Sequence, residues 1–193
     1  ERGAEIKDNP ARHLRVRGTG DARAPFFTDQ DEKRLLYELS KMSNKNHLRL
    51  TKLALTTGFR RSELLSLTWR NIDLKKRVIY IHRKNCAAID DSSVLRLVPL
   101  PEKAEKILEE SNERNGKVIE LSKGAARNGF DKARKRAGLQ TLRFHDLRHI
   151  AISRMWSSGM NALEISACSG HRDIKMLMRY SHYELSLSLI HIS

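Results

Sequence analysis

The sequence has few cysteines, few aromatic residues and no long apolar run. Its 193 residues include two cysteines, Cys86 and Cys168, which are too few for a disulfide framework and suit a reducing compartment. No apolar run approaches the roughly 20 residues that a membrane-spanning helix needs, and no apolar leader is visible at the start. These absences argue against a disulfide-stapled secreted fold and a membrane partner. We expect a protein of the cytosol.

Acidic residues are scarce relative to basic ones. The chain has 23 Asp and Glu against 37 Lys and Arg, a formal net charge of +14 at pH 7. Residues 122–148 alone contain eight basic and two acidic residues, a net charge of +6. A basic domain with a concentrated cationic segment is typical of proteins that bind the phosphate backbone of nucleic acids. A basic face toward acidic lipid is the alternative, but no lipidation signal or basic amphipathic anchor accompanies it.

The pattern of apolar residues predicts a mainly α-helical domain of the α+β class with one small antiparallel sheet. Residues 1–25 lack a sustained apolar period and are predicted to be an arm or linker. Two β-branched runs at 77–82 and 95–100 predict paired strands, joined by a polar loop at 83–94. Helices are predicted from about Thr28, Leu48, Arg60, Pro101, Lys123 and His145, followed by two short ones at about 161–168 and 173–180.

The stretch RFHDLRHIAIS, residues 143–153, concentrates nitrogen-rich side chains on a predicted helix. His145, Arg148 and His149 have the spacing i, i+3, i+4, which places them on one helical face. Leu147 and Ile150 would then point the other way, toward a core. The stretch therefore predicts a helix that presents hydrogen-bond donors to an anion or ligands to a metal ion.

Three blocks of the sequence together resemble the tyrosine recombinases, also called the phage integrase family. They are TTGFRRSELLSLTWRNIDL at 56–74, FHDLRH at 144–149 and SGHRDIKMLMRYSHY at 169–183. Each block is a loose pattern alone, but this order, with a lysine-bearing strand pair between the first two, is specific. The resemblance covers residues 26–184, which it implies to be the catalytic domain, with a C-terminal tail at 185–193.

The resemblance implies a site-specific recombinase that cleaves and rejoins DNA through a 3′-phosphotyrosine intermediate, without a metal or an energy cofactor. Arg60 and Arg148 would be the two arginines that hold the scissile phosphate. His145 would accept a proton or orient a neighbour beside them, and His171 would be a further phosphate donor. Charge-assisted hydrogen bonds from such groups meet the negative charge that develops on the phosphate oxygens.

Two further positions complete the chemistry that the resemblance implies. Tyr180, nine residues after His171, would be the nucleophile, and Tyr183 is its rival. Lys84 would protonate the leaving 5′ oxygen. Because the loop after Lys84 is longer and more acidic than is usual in the family, Arg83 or Arg96 could compete for that role.

Metal binding is the sharpest alternative for the same residues. The spacing of three histidines and one cysteine resembles a four-ligand zinc arrangement: His145, His149, Cys168 and His171. Arg148 and Arg172 lie among these positions, and their positive charge disfavours a divalent cation. Glu63 and Asp146 are interpreted as acceptors that orient an arginine or a histidine, not as metal ligands.

Double-stranded DNA is the predicted partner, and the candidate residues for holding its backbone are Arg127, Lys132, Arg134, Lys135, Arg136 and Arg143. From the resemblance we also expect self-association as a tetramer on DNA, with accessory DNA-bending proteins as further partners. An integrase of a phage or mobile element is the preferred role, and a chromosome-dimer resolvase is the alternative. Topoisomerase-like strand cleavage and a DNA-binding module without catalysis are the competing functions. The chain is expected to be a fragment of a longer protein with a separate N-terminal domain.

Overall fold

A computed structural model describes residues 27–82, 95–111, 114–171 and 173–177. Within these residues, seven α-helices and one three-stranded antiparallel sheet confirm the mainly helical α+β class expected from the sequence. None of the helices in the described ranges is both long and apolar enough to cross a membrane. The predicted arm at 1–25, the loop at 83–94 and the tail at 185–193 lie outside the described residues.

The α-helices lie at or near their predicted positions. Their bounds are α1 Asp29–Ser40, α2 Asn46–Thr57, α3 Arg61–Ser66, α4 Glu102–Glu109, α5 Lys123–Arg136, α6 Asp146–Ser157 and α7 Ala162–Ser169. Thr28 caps α1 as predicted. Its Oγ1 accepts a hydrogen bond from the Asp31 amide at 3.1 Å, and Asp31 accepts one from the Thr28 amide at 2.9 Å. This reciprocal pair satisfies two backbone donors at the helix start.

The sheet has the strand order β1, β2, β3, with bounds Ile72–Asp73, Val78–His82 and Leu95–Pro99. Both strand pairs are antiparallel, and Ile79 faces Val98 across the β2–β3 pair. Both side chains are buried, so one face of the sheet covers the core. Strand β1 is absent from the sequence prediction because two residues are too few to show the alternation of a strand.

Helix α2 is the centre of the fold and packs against α1, α3, α4, α5 and α6. Its buried stripe includes Leu50, Leu53 and Ala54, each 1% exposed. The helix ends at Gly58, whose φ of +65° is the left-handed conformation typical of glycine after a helix. The end of the central helix therefore places Gly58 next to Ala151 and Ile152 of α6.

The end of the described chain departs from prediction. The sequence predicts a helix at 173–180, but the described part contains only a 3-10 turn at Ile174–Met176. Leu177 is fully buried and packs with Ile152 of α6 and Ile165 of α7. The segment is therefore anchored to the fold three residues before Tyr180.

Candidate active site

Arg60 lies at the start of α3, just after Gly58 turns the chain out of α2. Its backbone N–H donates to Glu63 Oε2 at 2.7 Å, and its Nη1 donates to Glu63 Oε1 at 3.1 Å. Its Nη2 donates to the carbonyl oxygen of Gly170 at 3.3 Å. The side chain is 36% exposed, so the guanidinium is held from two sides while part of it remains accessible. Glu63 thus lies where it can orient Arg60.

Arg148 lies in the first turn of α6 and is only 3% exposed. Its Nη1 donates to the carbonyl oxygen of Gly58 at 2.7 Å, and its Nη2 lies 3.3 Å from Nδ1 and 3.2 Å from Nε2 of His171. The side chain passes between the end of α2 and the turn after α7, and it lines the same cleft as His145. A planar fork fixed by two elements is pre-organised for an anion.

His171 follows Gly170, which ends α7 with φ of +70°. Ser169 Oγ donates to the Ile165 carbonyl at 2.6 Å and lies 2.7 Å from His171 Nδ1. Since the hydroxyl proton is used, Oγ accepts from Nδ1–H, which leaves Nε2 as an acceptor toward Arg148. An arginine only donates, so these contacts fit a neutral imidazole. Burial, Arg148 and Arg60 lower the pKa of His171 from 6.5 to about 3.

Acidification is expected to destabilise the DNA-free protein through His171. The unfolded ring takes up a proton near its ordinary pKa of about 6.5, whereas the folded ring has a pKa of about 3. Between these values the unfolded state binds more protons, so the free energy of unfolding decreases as the pH is lowered, by at most ~1.4 kcal/mol per pH unit. Urea unfolding across this window should show a shallower pH slope for His171→Gln than for the wild type. Identical slopes would contradict the neutral assignment.

His145 precedes α6 and lines a cleft of about 380 Å³ beside Arg148. Its ring meets that of His149 edge to face, with centroids 4.9 Å apart. Partial desolvation and the charge of Arg148 lower the pKa of His145. The neutral ring, which can accept a proton, is therefore favoured near pH 7.

The six candidate DNA-binding residues separate into two groups. Those that line the cleft are Arg127, Arg134 and Arg143. Those that are exposed on α5 and do not line it are Lys132, Lys135 and Arg136. Some of the hydrogen-bond donors of Arg134 are already used within the protein. Its Nε donates to Asp131 Oδ1 at 2.7 Å, and its Nη1 contacts the Gln140 carbonyl.

Sequence reasoning missed two charged residues of the cleft, Arg61 and Asp131. Asp131 is four residues after Arg127, so the helical period of α5 was the available signal. Arg61 lies in a helix of only six residues, too short to define a face. Its guanidinium carbon lies 5.8 Å from the centre of the Phe144 ring, which fixes it at the cleft wall.

Part of the predicted site falls outside the described residues: Arg83, Lys84, Tyr180 and Tyr183. Arg96 is described. It lies on β3 with its side chain 10% exposed, and its Nη2 is 3.5 Å from Glu63 Oε1. A shielded guanidinium, protonated at every working pH, is poorly suited to donate a proton to a leaving group.

The spacing that suggested zinc does not correspond to a metal cluster in the described part of the chain. There, no three or more histidine, cysteine or acidic residues lie close enough together to hold a metal ion. Cys168 is buried, and burial raises the pKa of its thiol, which disfavours the thiolate that a zinc ligand needs. His171 contacts Arg148 and Ser169 instead.

The sequence matches the family model described as Phage integrase family over residues 25–185. The shufflon-specific DNA recombinase of Escherichia coli is 34% identical over 182 residues, which are 91% of this chain and 44% of that protein. The integrase of Salmonella phage P22 is 29% identical over 147 residues, which are 69% of this chain and 38% of that protein. The chain thus spans less than half the length of either relative.

Solved structures share the fold. The catalytic domain of bacteriophage HP1 integrase superposes with a TM-score of 0.65 at 24% identity, covering 86% of this chain and 94% of that one. The Tn1549 transposon integrase in complex with transposon right end DNA gives 0.62 at 19% identity, covering 83% and 62%. XerA recombinase gives 0.65 at 18% identity, covering 91% and 67%.

Proposed function

The chain belongs to the phage integrase family, and we propose that residues 26–184 form the catalytic domain of a site-specific DNA recombinase. In the proposed reaction, Tyr180 Oη attacks the scissile phosphorus. The Oη–P bond forms, the bond to the 5′ oxygen breaks, and the leaving oxygen takes a proton from Lys84. The 5′ hydroxyl of another strand then attacks the phosphotyrosine and releases Tyr180. Because the bond energy is retained, the reaction needs no energy cofactor.

The observation that carries this proposal is the convergence of Arg60, Arg148 and His171 from three distant parts of the sequence. Arg148 Nη2 is 3.2 Å from His171 Nε2, and Arg60 Nη2 is 3.3 Å from the carbonyl oxygen of the preceding Gly170. Two permanently charged forks beside an imidazole suit the non-bridging oxygens of a phosphate in displacement. Such fixed cations can stabilise the negative charge on the phosphate oxygens, as a metal ion does in other phosphoryl-transfer enzymes.

The two histidines have different protonation tasks in this scheme. Neutral His145 is proposed to accept the Tyr180 proton or to orient the phenol. His171 needs a proton on Nε2 to donate to the phosphate. The negative charge of that phosphate would raise the pKa of His171 above its DNA-free value, because an adjacent anion favours the charged form.

The cleft beside these residues is proposed to hold the DNA backbone. Arg61, Arg127 and Arg143 line it, and arginine forks bind phosphate oxygens in pairs. Recombination of two duplexes involves four strands, so we extend the proposal to self-association as a tetramer on DNA, with accessory DNA-bending proteins as further partners. The place of action is then the cytosol of the cell that carries the DNA.

Covalent capture tests the proposal without knowledge of the target site. The protein is incubated in excess chelator with a pool of randomised duplexes that carry a 5′-bridging phosphorothiolate, which makes cleavage hard to reverse. A denaturing gel should show a protein–DNA adduct, and sequencing the captured DNA should show a preferred site. An adduct without sequence preference, with relaxation of supercoiled plasmid, would favour the topoisomerase alternative. No adduct would refute the proposed chemistry.

Lys84 as the general acid predicts a rescue by leaving-group chemistry. On ordinary captured sites, Lys84→Met should slow cleavage by ~10²–10³, the range for loss of one transition-state donor. A 5′-thiolate leaving group, with a thiol pKa of about 8.5, departs without a proton, so the variant should cleave the phosphorothiolate nearly normally. Lys76→Met, at an exposed position before β2, is the matched control. If the phosphorothiolate instead restores cleavage by Arg83→Met or Arg96→Met, that arginine is the general acid.

A further inference from the structure

Arg96 is a largely shielded cation close to Arg60, one of the two arginines that are proposed to hold the scissile phosphate. It lies on β3 opposite Ile81 of β2, and α7 packs against this strand. Its side chain is 10% exposed, and its guanidinium carbon lies 5.5 Å from the centre of the Phe59 ring, next to Arg60 in the chain. Shielding a charge from water to this extent costs free energy unless neighbouring groups pair with it.

The first group that pairs with Arg96 is the carboxylate of Glu63. Arg96 Nη2 lies 3.5 Å from Glu63 Oε1, the same oxygen that accepts from Arg60 Nη1 at 3.1 Å. The carboxylate is 12% exposed, so the attraction is little weakened by solvent. One carboxylate oxygen therefore lies close to two guanidinium groups, those of Arg60 and Arg96.

The second neighbour of Arg96 is Gly170, the residue before His171. A β-carbon built on Gly170 would overlap Arg96 Nη1, so the arginine fills the space that any larger residue would need. The carbonyl oxygen of the same glycine accepts from Arg60 Nη2 at 3.3 Å. Arg96 thus contacts both groups that hold the Arg60 guanidinium, the Glu63 carboxylate and the Gly170 backbone.

We propose that Arg96 is a positioning residue that sets the orientation of Arg60 through Glu63 and Gly170. The inference rests on the proposed function, since it assigns Arg60 to the scissile phosphate. In this assignment Arg96 acts through other residues and is given no contact with DNA or with the reacting atoms. Its loss should misalign Arg60 in the transition state more than it weakens DNA binding.

Arg96→Gln and Arg96→Lys test the proposal in the full chain, on sites captured by the wild type. Arg96→Gln should lower the adduct rate at saturating DNA by ~10- to 100-fold, the range for a residue that orients a directly acting group, with the half-saturating DNA concentration unchanged. Arg96→Lys should lose less, because an ammonium still pairs with Glu63. Arg77→Gln, an exposed arginine paired with Glu105 at the start of the same hairpin, should react normally.

Two further measurements separate positioning from a general structural role. In a Glu63→Gln background, adding Arg96→Gln should cause little further loss, because both changes act through Arg60. In the DNA-free protein, the ¹⁵N resonance of Arg60 Nε should shift in Arg96→Gln and stay in place in Arg77→Gln. Additive losses, or an unmoved Arg60 resonance, would overturn the inference. A wild type without any adduct would instead remove the proposed function, while the resonance would still decide whether Arg96 positions Arg60.

Discussion

Tyr180→Phe is expected to abolish the covalent protein–DNA adduct while leaving DNA binding intact. Phenylalanine keeps the ring but lacks the oxygen that would bond to phosphorus, so the first step has no nucleophile. Removal of a nucleophile costs on the order of 10⁶ in rate where it has been measured in a hydrolase. Adduct formation on phosphorothiolate duplexes and a filter-binding assay on the same DNA would measure both quantities.

Tyr183→Phe is the matched control, three residues further along the same segment. If Tyr180 is the nucleophile, this variant should form the adduct at close to the wild-type rate. Loss of the adduct in Tyr183→Phe alone would keep the family chemistry and move the nucleophile by three positions. An adduct that survives both changes would exclude phosphotyrosine chemistry, and mass spectrometry of the linked peptide would identify the group that replaced it.

Local signals were sufficient to predict most of the fold. The capping pattern at Thr28 and the left-handed glycine at Gly58 act within a few residues, so the sequence alone predicts the start of α1 and the end of α2. The alternation of 77–82 is equally local. Strand β1 has only two residues and exists because β2 pairs with it. No local sequence pattern predicts this pairing.

The site could be predicted in composition but not in arrangement. The resemblance supplied Arg60, His145, Arg148 and His171 as a set, yet their spacing in the sequence does not say how they meet. The inward direction of Arg148 depends on where the Gly58 carbonyl and the His171 ring lie, and both belong to other elements. Such contacts arise only when the helices pack, so helical periodicity placed Arg148 on the same face as His145 but could not predict that its side chain is buried.

The second large effect is expected for Arg148→Lys. Arg148 joins the Gly58 carbonyl at 2.7 Å to the His171 ring at 3.2 Å, and a lysine ammonium lacks the planar fork whose two nitrogens reach these two groups. The adduct rate should fall by ~10²–10³, as for loss of one transition-state donor. The free energy of unfolding should fall by ~1–3 kcal/mol, because a buried carbonyl loses its donor. Adduct kinetics at saturating DNA and urea unfolding measure the two losses.

Arg154→Lys tests whether these losses belong to the position of Arg148 or to any arginine on α6. Arg154 lies on the same helix, is 42% exposed and pairs with Glu32 and Asp29 at the surface. A surface ion pair contributes about 0–1 kcal/mol, and lysine can replace its charge, so both rate and stability should stay near wild type. Equal losses in the two variants would mean that α6 is generally sensitive to substitution. A normal adduct rate in Arg148→Lys would show that the fork, as distinct from its charge, is dispensable, because the lysine retains the charge and loses only the planar pair of donors.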